Sequence, residues 1–541
     1  MGVDRRRFLR EGLLFNATLV SAAILPADGA AGAGKAGAAT GAFALDEITI
    51  DALQERFASG ALSATGVVDA YLLRIKAIDA AGPTLKSVLE LNPDARSIAH
   101  ELDRERARAT IKGPLHGVPV LIKDNIETGD RTHTTAGSLA LLGAPAPRDA
   151  PIVARLRAAG AVILGKSNLS EWANIRSTRS TSGWSARGGR TRNPYALDRN
   201  TSGSSSGSGA AVAANLCTVA IGTETDGSIV SPSSINGIVG IKPTVGLASR
   251  TGIIPIAHTQ DTPGPMTRTV RDAAIVLGVI AGADPEDSAT AASEGHIHAD
   301  YTQFLDRDGL RGARIGVARN YFGTLDGVDA VINVALAILR KAGAILVDPA
   351  DLPNMDKLAD PELMVLLTEL KADLDVYLQQ RAGDVRSLQE LIAFNERFRA
   401  REMPYFGQDL FIKAQAKGPL SNPEYLEALA TCKRISRTEG IDAVMDRERL
   451  DAIVAPTDAL AWIADYLLGD HAIASSSSAA AVAGYPSITV PAGFVSGLPV
   501  GVSFFGRAWS EPTLLRIAFA FEQASLARRP PTFPASIGQR G

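Results

Sequence analysis

Cysteine and histidine are scarce in this chain, two and seven in 541 residues. Cys217 and Cys432 cannot make a disulfide framework, although a single bond between them stays open. Cys217 lies in an Ala/Val/Leu context, which predicts a buried, inert thiol, and neither cysteine has a neighbouring histidine to mark a nucleophile. No His-Glu-x-x-His occurs, and the close pair His296 and His298 sits in a polar, loop-like stretch, so no metal site is expected. Charge of one sign is lacking too. A formal net charge of −3 leaves no basic footprint for nucleic acid or an anionic membrane. What remains is 46% hydrophobic and 21% charged, a globular composition with ample material for a large core.

The N-terminus has its own character. Asp4-Arg5-Arg6-Arg7-Phe8-Leu9-Arg10 fits a twin-arginine export signal: paired arginines, one intervening residue, then Phe-Leu and a base. The apolar stretch Leu13 to Leu25 follows, interrupted by Asn16, Thr18 and Ser21, and it is shorter than the ~20 apolar residues a membrane span takes. Ala27 to Gly41 is almost all Ala and Gly, as a cleavage region and linker would be. Residues 1–41 therefore read as an address, and 42–541 as one catalytic domain. The expected location is periplasmic or secreted, without stable membrane association after export.

Beyond the leader, helix and strand signals alternate. Ser63 can cap a helix carrying Val67, Val68, Tyr71, Leu72 and Ile75 at helical spacing. The apolar run Val118 to Ile122 is strand-like and ends on Lys123. Further strands are expected at Ala161–Gly165, Val219–Gly222, Ala313–Ala318, Asp451–Pro456, Ser487–Pro491 and Val500–Gly506, with a final helix over Glu511–Ala524. This pattern predicts an α/β fold with a large, mostly buried sheet. Residues 361–442 turn helical, and Leu363, Leu366, Leu367, Leu370, Leu374, Tyr377 and Leu378 make one amphipathic face.

The chemistry concentrates in Thr201-Ser202-Gly203-Ser204-Ser205-Ser206-Gly207-Ser208-Gly209 and, after a small-residue helix and a strand, in Thr223-Glu224-Thr225-Asp226-Gly227-Ser228-Ile229. A phosphate loop would need Gly-Lys-Ser/Thr before its helix, and no lysine is there. A dinucleotide fingerprint needs a preceding strand, but Asn193-Pro194-Tyr195 is a turn. A flexible linker would not run on into a hydrophobic helix and strand. A nucleophile turn fits better. The glycine-bearing segment after a strand can aim the N–H groups of Thr225, Asp226, Gly227 and Ser228 at one spot, as an oxyanion hole requires. Ser228 then needs a base, and no Ser-His-Asp arrangement is visible.

At this point the motifs become recognisable. Lys123 after its strand, the Gly-Ser-Ser-Ser-Gly segment and Gly-Thr-Glu-Thr-Asp-Gly-Ser228-Ile together resemble the amidase signature family. Gly237-Ile238-Val239-Gly240-Ile241-Lys242-Pro243-Thr244, Asp261-Thr262-Pro263-Gly264-Pro265 and the block from Ala483 to Glu522 match as well, so the resemblance spans roughly Phe43 to Arg529. It implies a single large domain with a mixed central sheet covered by helices on both faces. It also implies Ser228 as nucleophile, Ser204 as bridging serine and Lys123 as base. No cofactor and no obligate protein partner are expected, only an amide substrate and water. A lysine that accepts a proton must rest neutral, so burial behind the strand is expected to lower its pKa from ~10.4.

One departure bears on substrate. The family usually reads Gly-Gly-Ser at the nucleophile, and here it is Asp226-Gly227-Ser228. Asp226 either serves an unusual backbone angle or presents a carboxylate to the two N–H bonds of a primary carboxamide, which would repel a free acid. Trp172-Ala173-Asn174 and Ser182-Gly183-Trp184-Ser185-Ala186-Arg187-Gly188-Gly189 resemble bacterial peptide amidases, with Asn174 a candidate second contact to the carboxamide. The resemblance leaves three other readings: a broad amidase on small amides, the ammonia-supplying chain of a tRNA-dependent amidotransferase, which the export signal disfavours, and a binding protein on a retired amidase scaffold.

Overall fold

Apolar runs bounded by turns build one mixed sheet of eleven strands in the computed structural model, which describes residues 43–143, 145–471 and 474–538. In chain order these are β1 (Val88–Leu91), β2 (Pro119–Lys123), β3 (Val162–Ser167), β4 (Val219–Glu224), β5 (Val239–Lys242), β6 (Thr262–Thr267), β7 (Arg314–Val317), β8 (Ile345–Val347), β9 (Ala452–Pro456), β10 (Ser487–Val495) and β11 (Leu498–Phe505). Across the sheet the order is β1-β3-β2-β4-β6-β5-β10-β11-β9-β7-β8. The expected strands are present, and the first of them ends on Lys123 as anticipated. Every residue of β2, β3, β4, β6 and β11 is buried. Side chains alternate between faces along a strand, so complete burial means that both faces are covered. The twin-arginine segment and the Ala/Gly stretch, residues 1–41, lie outside the described residues.

Direction within the sheet positions the chemistry. β2 lies parallel to both β3 and β4. The C-terminal ends of all three strands, at Ser167, Lys123 and Glu224, therefore emerge on one edge, where the loops that follow them meet, as ligand sites in such sheets do. The Ala/Ser-rich helix Ser206–Ala213 precedes β4 and is buried along its whole length, which only small side chains allow. It starts within the Gly/Ser-rich segment, earlier than the hydrophobic pattern suggested.

The stretch 361–442 is helical as expected, opening with Ala359–Gln380. Leu367, Leu370, Leu374 and Leu378 of that helix pack with Trp172, Ile254, Ile256 and Phe411. The excursion thus rests on the loop after β3 and on the segment before β6. Ser63 caps the helix Ala64–Arg74 by accepting from Gly66 N–H. Cys217 and Cys432 are both buried and unpaired, which answers the disulfide question. No helix among the described residues is long and apolar enough to cross a membrane.

Candidate active site

Lys123 leaves the end of β2 with its side chain fully buried. Its Nζ lies 2.7 Å from Ser204 Oγ, 2.8 Å from Thr223 Oγ1 and 3.1 Å from the Thr223 carbonyl. Burial disfavours the ammonium and brings the pKa down from 10.5 to about 7, while the charges of Asp261 and Glu224 push the other way. A neutral amine can donate to the two Thr223 oxygens and accept from the Ser204 hydroxyl, so the geometry accommodates a resting base. Asn125 Nδ2 donates to the same Thr223 Oγ1 at 3.0 Å and fixes it.

Ser204 is buried too, and a cis peptide bond joins it to Gly203. Its carbonyl accepts from Ser170 N–H at 3.0 Å, tying it to the loop after β3. A Cβ on Gly203 would sit 2.1 Å from Ser170 Oγ, so only glycine fits there. The next residue holds the second loop: Ser205 N–H donates to the Ser228 carbonyl at 3.2 Å, and Ser205 Oγ donates to the Thr223 carbonyl at 3.1 Å.

The turn after β4 is held from behind. Glu224 Oε2 accepts from Ile229 N–H at 2.7 Å and Val230 N–H at 2.9 Å, anchoring the start of the helix Val230–Ile235. Thr225 Oγ1 donates to Asp261 Oδ1 at 2.5 Å, and Asp261 Oδ2 accepts from the N–H groups of Ile256 and Ala257. Gly227 takes the left-handed backbone, at φ 75°. With these restraints in place, the N–H groups of Thr225, Asp226, Gly227 and Ser228 have no hydrogen-bond partner among the described residues. Ser228 itself is 8% exposed, and its hydroxyl makes no hydrogen bond among the described residues. Lys123 and Ser204 are thus in direct contact, whereas Ser228 joins them through backbone.

Asp226 differs from both accounts of it. Its backbone is not left-handed, because Gly227 takes that conformation, so backbone tolerance does not explain it. Nor does its carboxylate face substrate unengaged. Oδ1 accepts from Ser477 Oγ at 2.5 Å and Oδ2 from Ser478 Oγ at 2.6 Å, and the Glu362 carboxyl is hydrogen-bonded to it as well. Asn174 ends a run of three left-handed residues, Trp172 (φ 50°), Ala173 (φ 51°) and Asn174 (φ 72°). Its Nδ2 donates to Ser182 Oγ at 2.9 Å, while its Oδ1 is buried with no partner among the described residues.

Several residues that shape the site were not singled out from sequence. Thr223 and Glu224 stand inside the motif quoted for Ser228, and Asp261 heads another, so position within a motif was their available signal. Gln260 and Glu362 carried none. One further group, His258, Glu369 and Asp373, brings ligand-type atoms together, but His258 Nδ1 lies 2.8 Å from Asp373 Oδ2. That hydrogen bond raises the imidazole pKa, giving an ion pair in which both partners are already engaged.

Comparison with known proteins gives the family. The Amidase family model matches residues 67–515. A probable amidase of Arabidopsis thaliana is 46% identical over 503 residues, covering 91% of this chain and 93% of the relative. The peptide amidase of Stenotrophomonas maltophilia superposes with a TM-score of 0.87 at 52% identity, covering 91% of this chain and 99% of that one. A glutamyl-tRNA(Gln) amidotransferase chain of Chloroflexus aurantiacus is 35% identical over 499 residues, covering 88% of this chain and 97% of the relative. The chain belongs to the amidase family and is a hydrolase of amide C–N bonds.

Proposed function

We propose that this enzyme removes the C-terminal amide nitrogen of peptides as ammonia, through a Ser228–Ser204–Lys123 relay. The observation that carries the relay is the 2.7 Å contact between Ser204 Oγ and a buried Lys123 amine whose pKa lies at about 7. Ser228 Oγ attacks the carboxamide carbon, its proton passes to Ser204, and the Ser204 proton passes to Lys123. The negative oxygen of the tetrahedral adduct is received by the free N–H groups of the 225–228 turn. Proton return along the same path releases ammonia and leaves an acyl-Ser228 ester. Water, deprotonated by the same relay, then cleaves the ester to the free acid and restores the serine.

Asn174 supports the primary carboxamide as substrate, since its unpartnered Oδ1 can accept one of the two amide N–H bonds. Asp226 contributes the lone pairs that Ser477, Ser478 and Glu362 leave over. The likeness to a peptide amidase favours the same reading over a general amidase. The export signal adds that the enzyme works outside the cytoplasm, away from any tRNA-dependent partner, and fractionation of cells expressing the full chain tests this.

The deciding measurement is ammonia release by the purified chain from a panel of peptide amides, the same peptides as free acids, and simple aliphatic and aromatic amides. Peptide amides are expected to exceed simple amides in kcat/KM by more than about tenfold. Equal values across the panel would leave a broad amidase. Asp226→Gly should narrow the preference for the terminal amide, and an unchanged preference would remove Asp226 from substrate recognition.

A further inference from the structure

Glu362 stands in the first turn of the helix Ala359–Gln380, far in sequence from either catalytic motif, yet it reaches the nucleophile turn. Its carboxyl hydrogen-bonds the Asp226 carboxyl, and its Oε1 accepts from Gln260 Nε2 at 3.0 Å. Gln260 Nε2 also lies 3.3 Å from the carbonyl of Thr225. Thr225, Gln260, Glu362 and Asp226 therefore form a closed ring around the first half of the turn. From the other side, Ser477 and Ser478 hold the two Asp226 oxygens. These contacts tie the helical excursion to the residues whose N–H groups stand free.

Two carboxyl groups in contact repel when both are ionised, so a proton is held between them until the pH is well above the ordinary carboxylate range. The surroundings decide where it resides. Asp226 receives two serine hydroxyls and feels the positive charge of Lys242 as well as the negative charge of Glu224, with the Tyr321 phenol also nearby. Glu362 has Gln260 as its neutral donor and the buried Cys432 thiol on the helix Pro423–Lys433 as a further titratable neighbour. Burial and the Asp226 charge both raise the Glu362 carboxyl well above its ordinary range. The proton therefore sits on Glu362, which donates to the Asp226 carboxyl oxygen.

We propose that Glu362 is a positioning residue for the reaction: as a neutral acid it clamps Asp226 and, with Gln260, holds the 225–228 turn in the shape that receives the oxyanion. When the proton leaves, two adjacent carboxylates repel and the ring opens. The inference rests on the reading of that turn as the oxyanion site. It predicts a loss of kcat at high pH that is distinct from the acid limb set by Lys123. The loss should fall on kcat more than on KM, because the clamped N–H groups act on charge that develops after binding.

The test is the pH profile of kcat and KM for one peptide amide, from about pH 5 to about pH 10, in wild type, Glu362→Gln and Glu362→Ala. Glutamine donates to Asp226 and accepts from Gln260 at every pH. E362Q should therefore keep kcat within about threefold near neutrality and lose the alkaline fall. E362A should lower kcat more than about tenfold throughout with a smaller change in KM, and the acid limb should stay in place in both. The inference is overturned if wild type shows no alkaline fall in kcat, if E362Q retains the wild-type fall, or if E362A keeps full kcat. Should E362A fail to fold, wild type and E362Q still decide. Ser228→Ala separates the two readings: full activity there defeats the proposed relay, whereas an inactive S228A beside an unaltered E362Q defeats only the role of Glu362.

Discussion

Lys123→Met should abolish turnover and at the same time stabilise the fold. A lysine held at about 7 instead of 10.5 makes folding less favourable by about 5 kcal/mol wherever both states carry the proton. The sign follows from which state binds more protons. Below about pH 7 the folded and unfolded lysines are both charged, and the whole penalty applies. Between there and the unfolded value, the folded amine is neutral while the unfolded one remains protonated. Stability then rises by about 1.4 kcal/mol per pH unit as the penalty is relieved. Methionine has similar length and no charge, so it removes the penalty but leaves Ser204 Oγ and the two Thr223 oxygens without their partner. That loss offsets part of the gain, leaving about 2 kcal/mol at pH 6 and turning into a deficit of about 2 kcal/mol near pH 10, where the penalty has almost gone. Thermal unfolding of K123M and wild type at several pH values reads the difference directly, and subtracting wild type cancels the other buried lysines. A variant less stable than wild type by the same amount at every pH would show that Lys123 is not strained by its charge. The neutral-base mechanism would then lose its physical ground.

Three further outcomes follow from the same contacts. Asp261→Asn removes a negative charge that holds the Lys123 pKa up, so the acid limb of kcat/KM should move to lower pH, and an unmoved limb would contradict the coupling. Gly203→Ala drives a Cβ against Ser170 Oγ. It should destabilise the protein by about 1–3 kcal/mol and lower kcat by about a hundredfold as Ser204 shifts, read by thermal unfolding and ammonia release. The thiols of Cys217 and Cys432 are both pushed up to about 12 by burial. A thiol reagent should therefore find neither in the native protein and both after unfolding, and reductant should leave Tm unchanged.

How much of this was legible in sequence depended on whether the signal was local. β2, β4, β7 and β9 are continuous apolar runs bounded by turns, and they stand within a residue or two of where the pattern placed them. β6 gave no such signal, because Pro263 and Pro265 argue against a strand interior. It is tolerated where β5 pairs only with Met266 and Thr267, past both prolines. Lys123 and Ser204 were nameable only through a family resemblance, since nothing local connects residues 81 apart. Asp226 shows the opposite case. Its identity was conspicuous and its neighbours were not, so its contacts with Ser477, Ser478 and Glu362 carried no signal in the sequence.

Burial of a lysine is not what singles out the base in this molecule. Lys166 and Lys242 are equally buried, and both are drawn down to about 8. Their partners differ from those of Lys123. Lys166 Nζ donates to the Ile126 carbonyl and to Thr134 Oγ1 with Asp124 as its opposing charge, and Lys242 Nζ donates to the Pro243 carbonyl with Glu224 as its own. The Thr134 hydroxyl gives its own hydrogen to the Ile126 carbonyl, so at both sites the oxygens around Nζ only accept, and each lysine has a carboxylate opposing it. Lys123 faces a hydroxyl that can donate, at 2.7 Å. A proton moving along Ser204 therefore meets a lone pair at Lys123, while at the other two lysines there is no hydroxyl leading to the nucleophile turn. Conversion of Lys166 or Lys242 to methionine should accordingly change stability and leave the acid limb of turnover where it is, a separation that the loss of Lys123 does not allow.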